Sequence, residues 1–203
     1  MIVTDTFLTS NPYSRPGTPL GEVMALIMHW TGKPMQPAQG VRAFFENRKT
    51  GADGYGSAHY IIDQGGAVLR CIPEAEVAYH CGVAVMDDEH RDPASWKFYT
   101  DWARAQFGES HCQTAPSIGP NLVTLGIEMC VVDFAGKFTV QTSDAAAELA
   151  ADICTRHHLN PFSDVATHNM VCGYKDCPRL WVNHPELLGE FLANVASAIA
   201  KRG

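Results

Sequence analysis

The sequence predicts a single α/β domain, with one mixed central β-sheet flanked by helices. Three observations carry that prediction. Short apolar runs alternate with segments of helical spacing, the pattern of strands crossed by packed helices. The chain has 203 residues, 46% hydrophobic and 18% charged, and a domain of roughly 100–200 residues can bury a core from such material. Residues 1–203 contain no internal repeat, low-complexity stretch or linker that would divide them.

Each element follows from local pattern. Residues 10–21 are too rich in Pro and Gly for regular structure and read as an ordered N-terminal arm, so that 1–21 precede the core. Val23–His29 is a continuous apolar run that ends at polar residues, as a fully buried strand does. Pro37–Lys49 has helical spacing, with Val41, Phe44 and Phe45 on one side and Thr50-Gly51 closing it. Ala58–Asp63 and Ala67–Ile72, joined by Gln64-Gly65-Gly66, form a hairpin pattern.

Residues 83–120 read as an insertion holding an amphipathic helix, Asp92–Phe107, with Trp96, Phe98, Tyr99, Trp102 and Phe107. Leu122–Phe134 is the strongest strand, and Ala135-Gly136-Lys137 turns the chain after it. Ser143–His157 is helical, with Ser143 or Thr142 as N-cap. Val165–His168 is a short strand, Asn169–Arg179 a loop, and Pro185–Lys201 a helix with Pro in its first turn.

Bulk properties narrow the function. A net charge of −7 with no basic cluster argues against nucleic acid, whose phosphates are met by massed Lys and Arg. The run Val23–Met28 is far shorter than the ~20 apolar residues that span a bilayer, so no membrane span is expected. The N-terminus lacks the charged and apolar regions of a secretory signal, which predicts cytoplasmic synthesis. Seven cysteines, an odd number scattered through apolar segments, do not read as a disulfide framework.

Several residues stand where chemistry could form. His29 ends a buried strand, the end at which α/β sheets tend to bind ligands; a hydrogen-bonded strand-end histidine is the plainer reading. His168 closes another strand, and Cys177 follows before Pro178. Two imidazoles and a thiolate are a three-ligand set that suits catalytic zinc; a buried free thiol is the alternative for Cys177. Glu128 lies in the most apolar strand, where an unpaired carboxylate is costly. It reads either as a general base beside small neighbours, Gly126 and Cys130, or as half of an internal ion pair with an Arg. Lys175 could steady a developing oxyanion or be a solvated surface lysine.

Taken together, five pieces in order resemble the type-2 N-acetylmuramoyl-L-alanine amidases, the family of phage endolysins and Bacillus prophage amidases, related to animal peptidoglycan recognition proteins. They are Leu26-Ile-Met-His-Trp-Thr31, Ser57-Ala-His-Tyr-Ile-Ile-Asp63, Val77-Ala-Tyr-His-Cys-Gly82, Leu125-Gly-Ile-Glu-Met-Cys-Val131, and Thr167-His168 with Gly173-Tyr-Lys-Asp-Cys-Pro-Arg179. The resemblance implies an amidase-like α/β fold and one catalytic zinc on His29, His168 and Cys177. It implies Glu128 as general base and Lys175 as transition-state stabiliser. His59 and His80 match histidines near the family's cleft and are not expected to be primary ligands. Tyr60 and Tyr79 are candidates for the cleft wall or the core. Some bacterial relatives use Asp where this chain has Cys, which makes Asp176 the alternative ligand.

The implied reaction is hydrolysis of the amide between the lactyl group of N-acetylmuramic acid and L-alanine, on peptidoglycan or a soluble muropeptide. The chain would act on the wall after release from the cell, or on recycled fragments in the cytoplasm. Two other classes fit parts of the sequence. One is a binding module that does not cut, whose relatives lack the metal cysteine; the other is a hydrolase with Cys177 or Cys172 as nucleophile. A monomer without a separate wall-binding domain is the expectation.

Overall fold

A computed structural model describes residues 2–81, 99–112 and 119–202. Its centre is a six-stranded sheet in the order β1-β4-β3-β5-β2-β6, comprising β1 Val3–Asp5, β2 Ala25–Trp30, β3 Tyr60–Ile62, β4 Val68–Arg70, β5 Thr124–Met129 and β6 Val165–Thr167. Only the β3–β4 hairpin pairs antiparallel; every other neighbour is parallel. The sheet is therefore mixed, as the sequence predicts. Helices α1 Ala38–Asn47, α2 Asp101–Phe107, α3 Val140–His157, α4 His168–Cys172, α5 Arg179–Asn183 and α6 Pro185–Ala200 pack around it.

The continuous apolar run of β2 is explained by burial on both faces. Side chains alternate along a strand. Leu26 and Met28 enter the core shared with α3 and α6, while Ala25 and Ile27 enter the core shared with α2 and α4. His29 follows Ile27 onto that second face. The α3 side is lined by Ala146, Ala147, Ala150 and Ala151, with Leu149 and Ile153 filling the remaining space. Small residues let α3 approach the sheet and α6 closely, and each buried Leu or Ile contributes roughly 1.5–3 kcal/mol.

Several boundaries differ from expectation for local reasons. The helix at 140 starts earlier than predicted, because the Thr139 hydroxyl accepts the Thr142 N–H and acts as the cap in place of Thr142 or Ser143. The strand expected over 122–134 is ordered as β5 over 124–129 alone, with a 3₁₀ turn at Gly119–Leu122 before it. In the helix expected over 92–107, Thr100 is extended and caps Ala103, so α2 begins at Asp101. Trp96 and Phe98 lie outside the described residues, as does most of the expected insertion.

Phe44, expected on the apolar face of α1, is 46% exposed, under the Arg48 guanidinium 4.6 Å from its ring, while Val41 and Phe45 are buried. In the N-terminal segment, Asn11 Oδ1 accepts the Tyr13 and Ser14 N–H groups, and Arg15 pairs with Glu76 at 2.7 Å. Strand β1 carries no sequence signal. It is a short, mostly exposed edge held by pairing to β4 and by Asp5–Arg70 at 2.7 Å.

Candidate metal centre

The parallel pairing of β2 and β6 brings the two histidines together. His29 is the fifth residue of β2 in the Ala25–Trp30 run. His168 is not the last residue of a strand, as predicted, but the first of α4. Thr167 ends β6 and its hydroxyl accepts the Met170 N–H at 3.1 Å, which turns the chain into the helix one residue early. The following segment, expected as a loop, holds α4, a tight turn through Gly173 in the left-handed region and a cis Cys177–Pro178 peptide leading into α5. The Asn169 side chain donates to the Gly173 and Lys175 carbonyls, and the Asn169 N–H donates to the Cys177 carbonyl at 2.9 Å. That clasp places the cysteine over the end of β2.

One ligand atom from each of His29, His168 and Cys177 lies within 4.8 Å of the others. All three residues are buried, at 2%, 4% and 8% exposure. His29 Nδ1 stands 3.7 Å from Cys177 Sγ, and His168 Nε2 is buried with no hydrogen-bond partner among the described residues. Orphaned imidazole nitrogen is costly to bury. Two imidazoles and a thiol at this spacing form a donor set that fits a zinc-sized, borderline-soft cation. Asp176 is exposed and has no place in this group.

Burial sets the electrostatics. It holds His29 well below the usual imidazole range, with His168, His80 and Lys175 adding repulsion. It pushes His168 down to about 3, Lys175 contributing. The Cys177 thiol is raised by burial and by the Glu128 carboxylate, against a backbone N–H from Trp30. Neutral imidazoles are the form that binds metal, and a thiol so disfavoured as a free thiolate is one that a bound cation would ionise.

Glu128 stands beside His29 in register on β5. It is partly buried, its Oε2 is enclosed with no hydrogen-bond partner, and no Arg among the described residues pairs with it. Burial pushes its carboxyl up to about 8, with Lys175 pulling the other way. Lys175 itself is exposed on the loop before Cys177, its ammonium 5.8 Å from the centre of the Tyr174 ring.

The other expected residues divide. His59 is fully buried and committed: its Nδ1 accepts the Gly126 N–H at 3.0 Å and its Nε2 meets the Glu76 carbonyl at 2.9 Å. His80 sits edge-on between His59 and His29 and touches the latter through nitrogen, His29 Nε2 to His80 Nδ1 at 3.1 Å. Tyr60 lies on the opposite face, in the core under α3, with its hydroxyl on Glu74 Oε1 at 2.5 Å. Alternation explains this, because Tyr60 registers with Ile127 and not with Glu128. Tyr79 is half-buried and packs edge-on against the exposed Tyr55, with ring centroids 5.3 Å apart.

The space beside Gly126, a small neighbour of Glu128, is filled from within the protein. A Cβ there would meet the His80 ring at 2.6 Å, so the glycine makes room for histidine. Sequence reasoning missed Asn121 and Thr124, which hold His80 in place. The isolated glycine inside a strand was the one signal that another group approaches there. Cys172 is buried in α4 with its thiol on the His168 carbonyl at 3.4 Å.

A family model described as N-acetylmuramoyl-L-alanine amidase matches residues 19–180. The chain is 27% identical over 199 residues to the N-acetylmuramoyl-L-alanine amidase BlyA of Bacillus subtilis, covering 98% of this chain and 48% of that protein. It is 30% identical over 200 residues to a probable N-acetylmuramoyl-L-alanine amidase of Bacillus licheniformis, covering 98% and 49%. The chain thus spans about half the length of these relatives. The solved catalytic domain of XlyA shares the fold with a TM-score of 0.64 at 18% identity, over 96% of this chain and 99% of that one.

Proposed function

From the premise that this chain belongs to the N-acetylmuramoyl-L-alanine amidase family, we propose that it is a zinc-dependent amidase cutting between the N-acetylmuramic acid lactyl group and L-alanine in peptidoglycan or a muropeptide. The observation that carries this reading is the convergence of His29, His168 and Cys177 within 4.8 Å beside the enclosed Glu128 oxygen. Both the named relatives and the family description support the choice of bond.

In this reading His29, His168 and Cys177 hold the metal. Zinc, when bound, supplies Lewis acidity at the carbonyl and makes water ionise near pH 7, down from about 15.7. Glu128 takes the proton from the attacking water and passes it to the departing L-alanine nitrogen. Burial favours its protonated form and Lys175 the ionised one; a cation held by the three ligands would favour the ionised form further, the form a general base needs. Lys175 faces the same site from the rim and offers positive charge to the oxyanion as it develops. The buried walls around His29 and His168 exclude bulk water and so strengthen these interactions.

The test is digestion of intact sacculi and of soluble muropeptides, with mass spectrometry of the products. New free L-alanine amino termini that vanish with chelation and return with zinc are expected. Cleavage that persists in a strong chelator would point to a thiol hydrolase, and binding without any product would point to a non-catalytic module.

A further inference from the structure

Four buried histidine rings form a row, His168, His29, His80 and His59, with successive centroids 4.7, 5.2 and 5.7 Å apart. The proposed metal centre uses the first two. His80 is not needed as a ligand, yet it is 7% exposed and held at every side. The His80 and Cys81 N–H groups both donate to Asn121 Oδ1 at 2.9 Å, and the ring lies against Gly126, where no Cβ fits. Packing alone would explain a large apolar residue here. The hydrogen bonds explain a histidine.

The proton positions can be followed atom by atom. The Thr124 hydroxyl donates to the Pro120 carbonyl at 2.8 Å, which uses its only hydrogen. His80 Nε2 therefore faces two acceptors, that hydroxyl oxygen at 3.2 Å and the Thr124 carbonyl at 3.4 Å. A nitrogen facing only acceptors must carry the proton. His80 Nδ1 is then the lone-pair nitrogen, and it lies 3.1 Å from His29 Nε2. His29 Nε2 must donate to it. The remaining nitrogen, His29 Nδ1, points its lone pair toward Cys177 Sγ, 3.7 Å away.

We infer that His80 is a positioning residue: it locks His29 as the Nε2–H tautomer and aims the Nδ1 lone pair into the cluster of His29, His168 and Cys177. This rests on the metal reading above and names what orients one ligand of that site. Metal-binding imidazoles commonly donate their second N–H to a carboxylate or carbonyl, and losing that partner costs about 10–100-fold in metal affinity. Here a neutral histidine serves as the acceptor, itself fixed by the backbone of β5. A neutral partner orients the ring without adding negative charge to the site.

Two measurements test it. Long-range ¹H–¹⁵N correlation spectra of the ¹⁵N-histidine-labelled, zinc-loaded protein should show His80 protonated at Nε2 and His29 protonated at Nε2 with Nδ1 coordinated. A His80 proton on Nδ1, or His29 bound through Nε2, would overturn the inference. Zinc affinity, by competition with a chromophoric chelator, should fall about 10–100-fold in His80→Phe, which keeps a ring against Gly126 but lacks an acceptor. His80→Asn, whose Oδ1 stands near the former Nδ1, should recover most of that loss. Wild-type affinity in a folded His80→Phe protein overturns the proposal. If that variant does not fold, the spectra of the wild type still decide. Should the wild type take up no zinc, the metal reading fails, and the same spectra of the protein as isolated judge the tautomers on their own.

Discussion

His29 and Glu128 occupy the same register position on the adjacent parallel strands β2 and β5, so the imidazole and the carboxyl share one face of the sheet. Neighbouring strands lie about 4.8 Å apart. The backbone ladder, and not a flexible loop, sets this relation between proposed ligand and proposed base. Glu128→Gln, which keeps the shape and removes the base, is expected to lower kcat by about 10²–10⁴-fold while zinc content stays the same. Full wall-lytic activity in that variant would sink the mechanism.

The ligand set makes a separate prediction. Cys177→Ala and His168→Ala should each lose zinc on dialysis, measured by elemental analysis, and lose activity with it. Asp176→Asn should retain both, because Asp176 is exposed and outside the cluster. Zinc loss in Asp176→Asn, with retention in Cys177→Ala, would exchange the two residues' roles.

Lys175→Ala is expected to reduce kcat by about 10²-fold with zinc content and thermal stability unchanged, since the side chain is exposed and its backbone carbonyl makes the loop contacts. A rise in KM at constant kcat would instead make Lys175 a substrate-binding group.

Gly126 and Gly189 form a matched pair. A Cβ at Gly126 meets His80 at 2.6 Å, whereas nothing lies within 4 Å of one at Gly189 in α6. Gly126→Ala should destabilise by about 1–3 kcal/mol, since the ring has nowhere to retreat. Gly189→Ala should stabilise by about 0.5–1 kcal/mol. Thermal or urea melts compare them directly, and equal melting behaviour would show that His80 can move.

The acid limb of stability has an identifiable source away from the site. Burial would raise Glu74, but hydrogen bonds from Arg156 and Tyr60 outweigh it and hold the carboxylate at about 2, below its ordinary 4.5. A folded-state value below the unfolded one contributes stability that is full above about pH 4.5 and lost as pH falls through about 2. Arg156 is 42% exposed, so solvent screening discounts the contribution to about 1 kcal/mol. In urea melts from pH 6 to pH 2, Glu74→Gln should flatten this part of the profile; an unchanged slope would assign acid sensitivity elsewhere.

Much of the fold was legible because hydrophobic period is a local property. The β2 run, the hairpin, the β5 core and the α6 helix all follow from neighbours within a few residues. Boundaries set by a single hydroxyl were not. Thr139, Thr167 and Thr100 each start a helix by accepting one backbone N–H, and competing Ser and Thr residues nearby offer the same chemistry to the eye. Strand β1 was invisible because its stability comes from β4, far along the chain.

The sequence by itself determined the donor types and their order: two histidines, a cysteine before proline, and a carboxylate in an apolar strand. Tertiary structure alone decided which of them meet. Parallel pairing brought His29, His168 and Glu128 to one end of the sheet, and the Asn169 clasp selected Cys177 over Asp176 for the buried position. It also turned Tyr60 to the opposite face and gave the space beside Gly126 to His80. Residue chemistry is written locally, but register and side-chain facing arise only when distant strands pair, and a metal site is a property of that pairing.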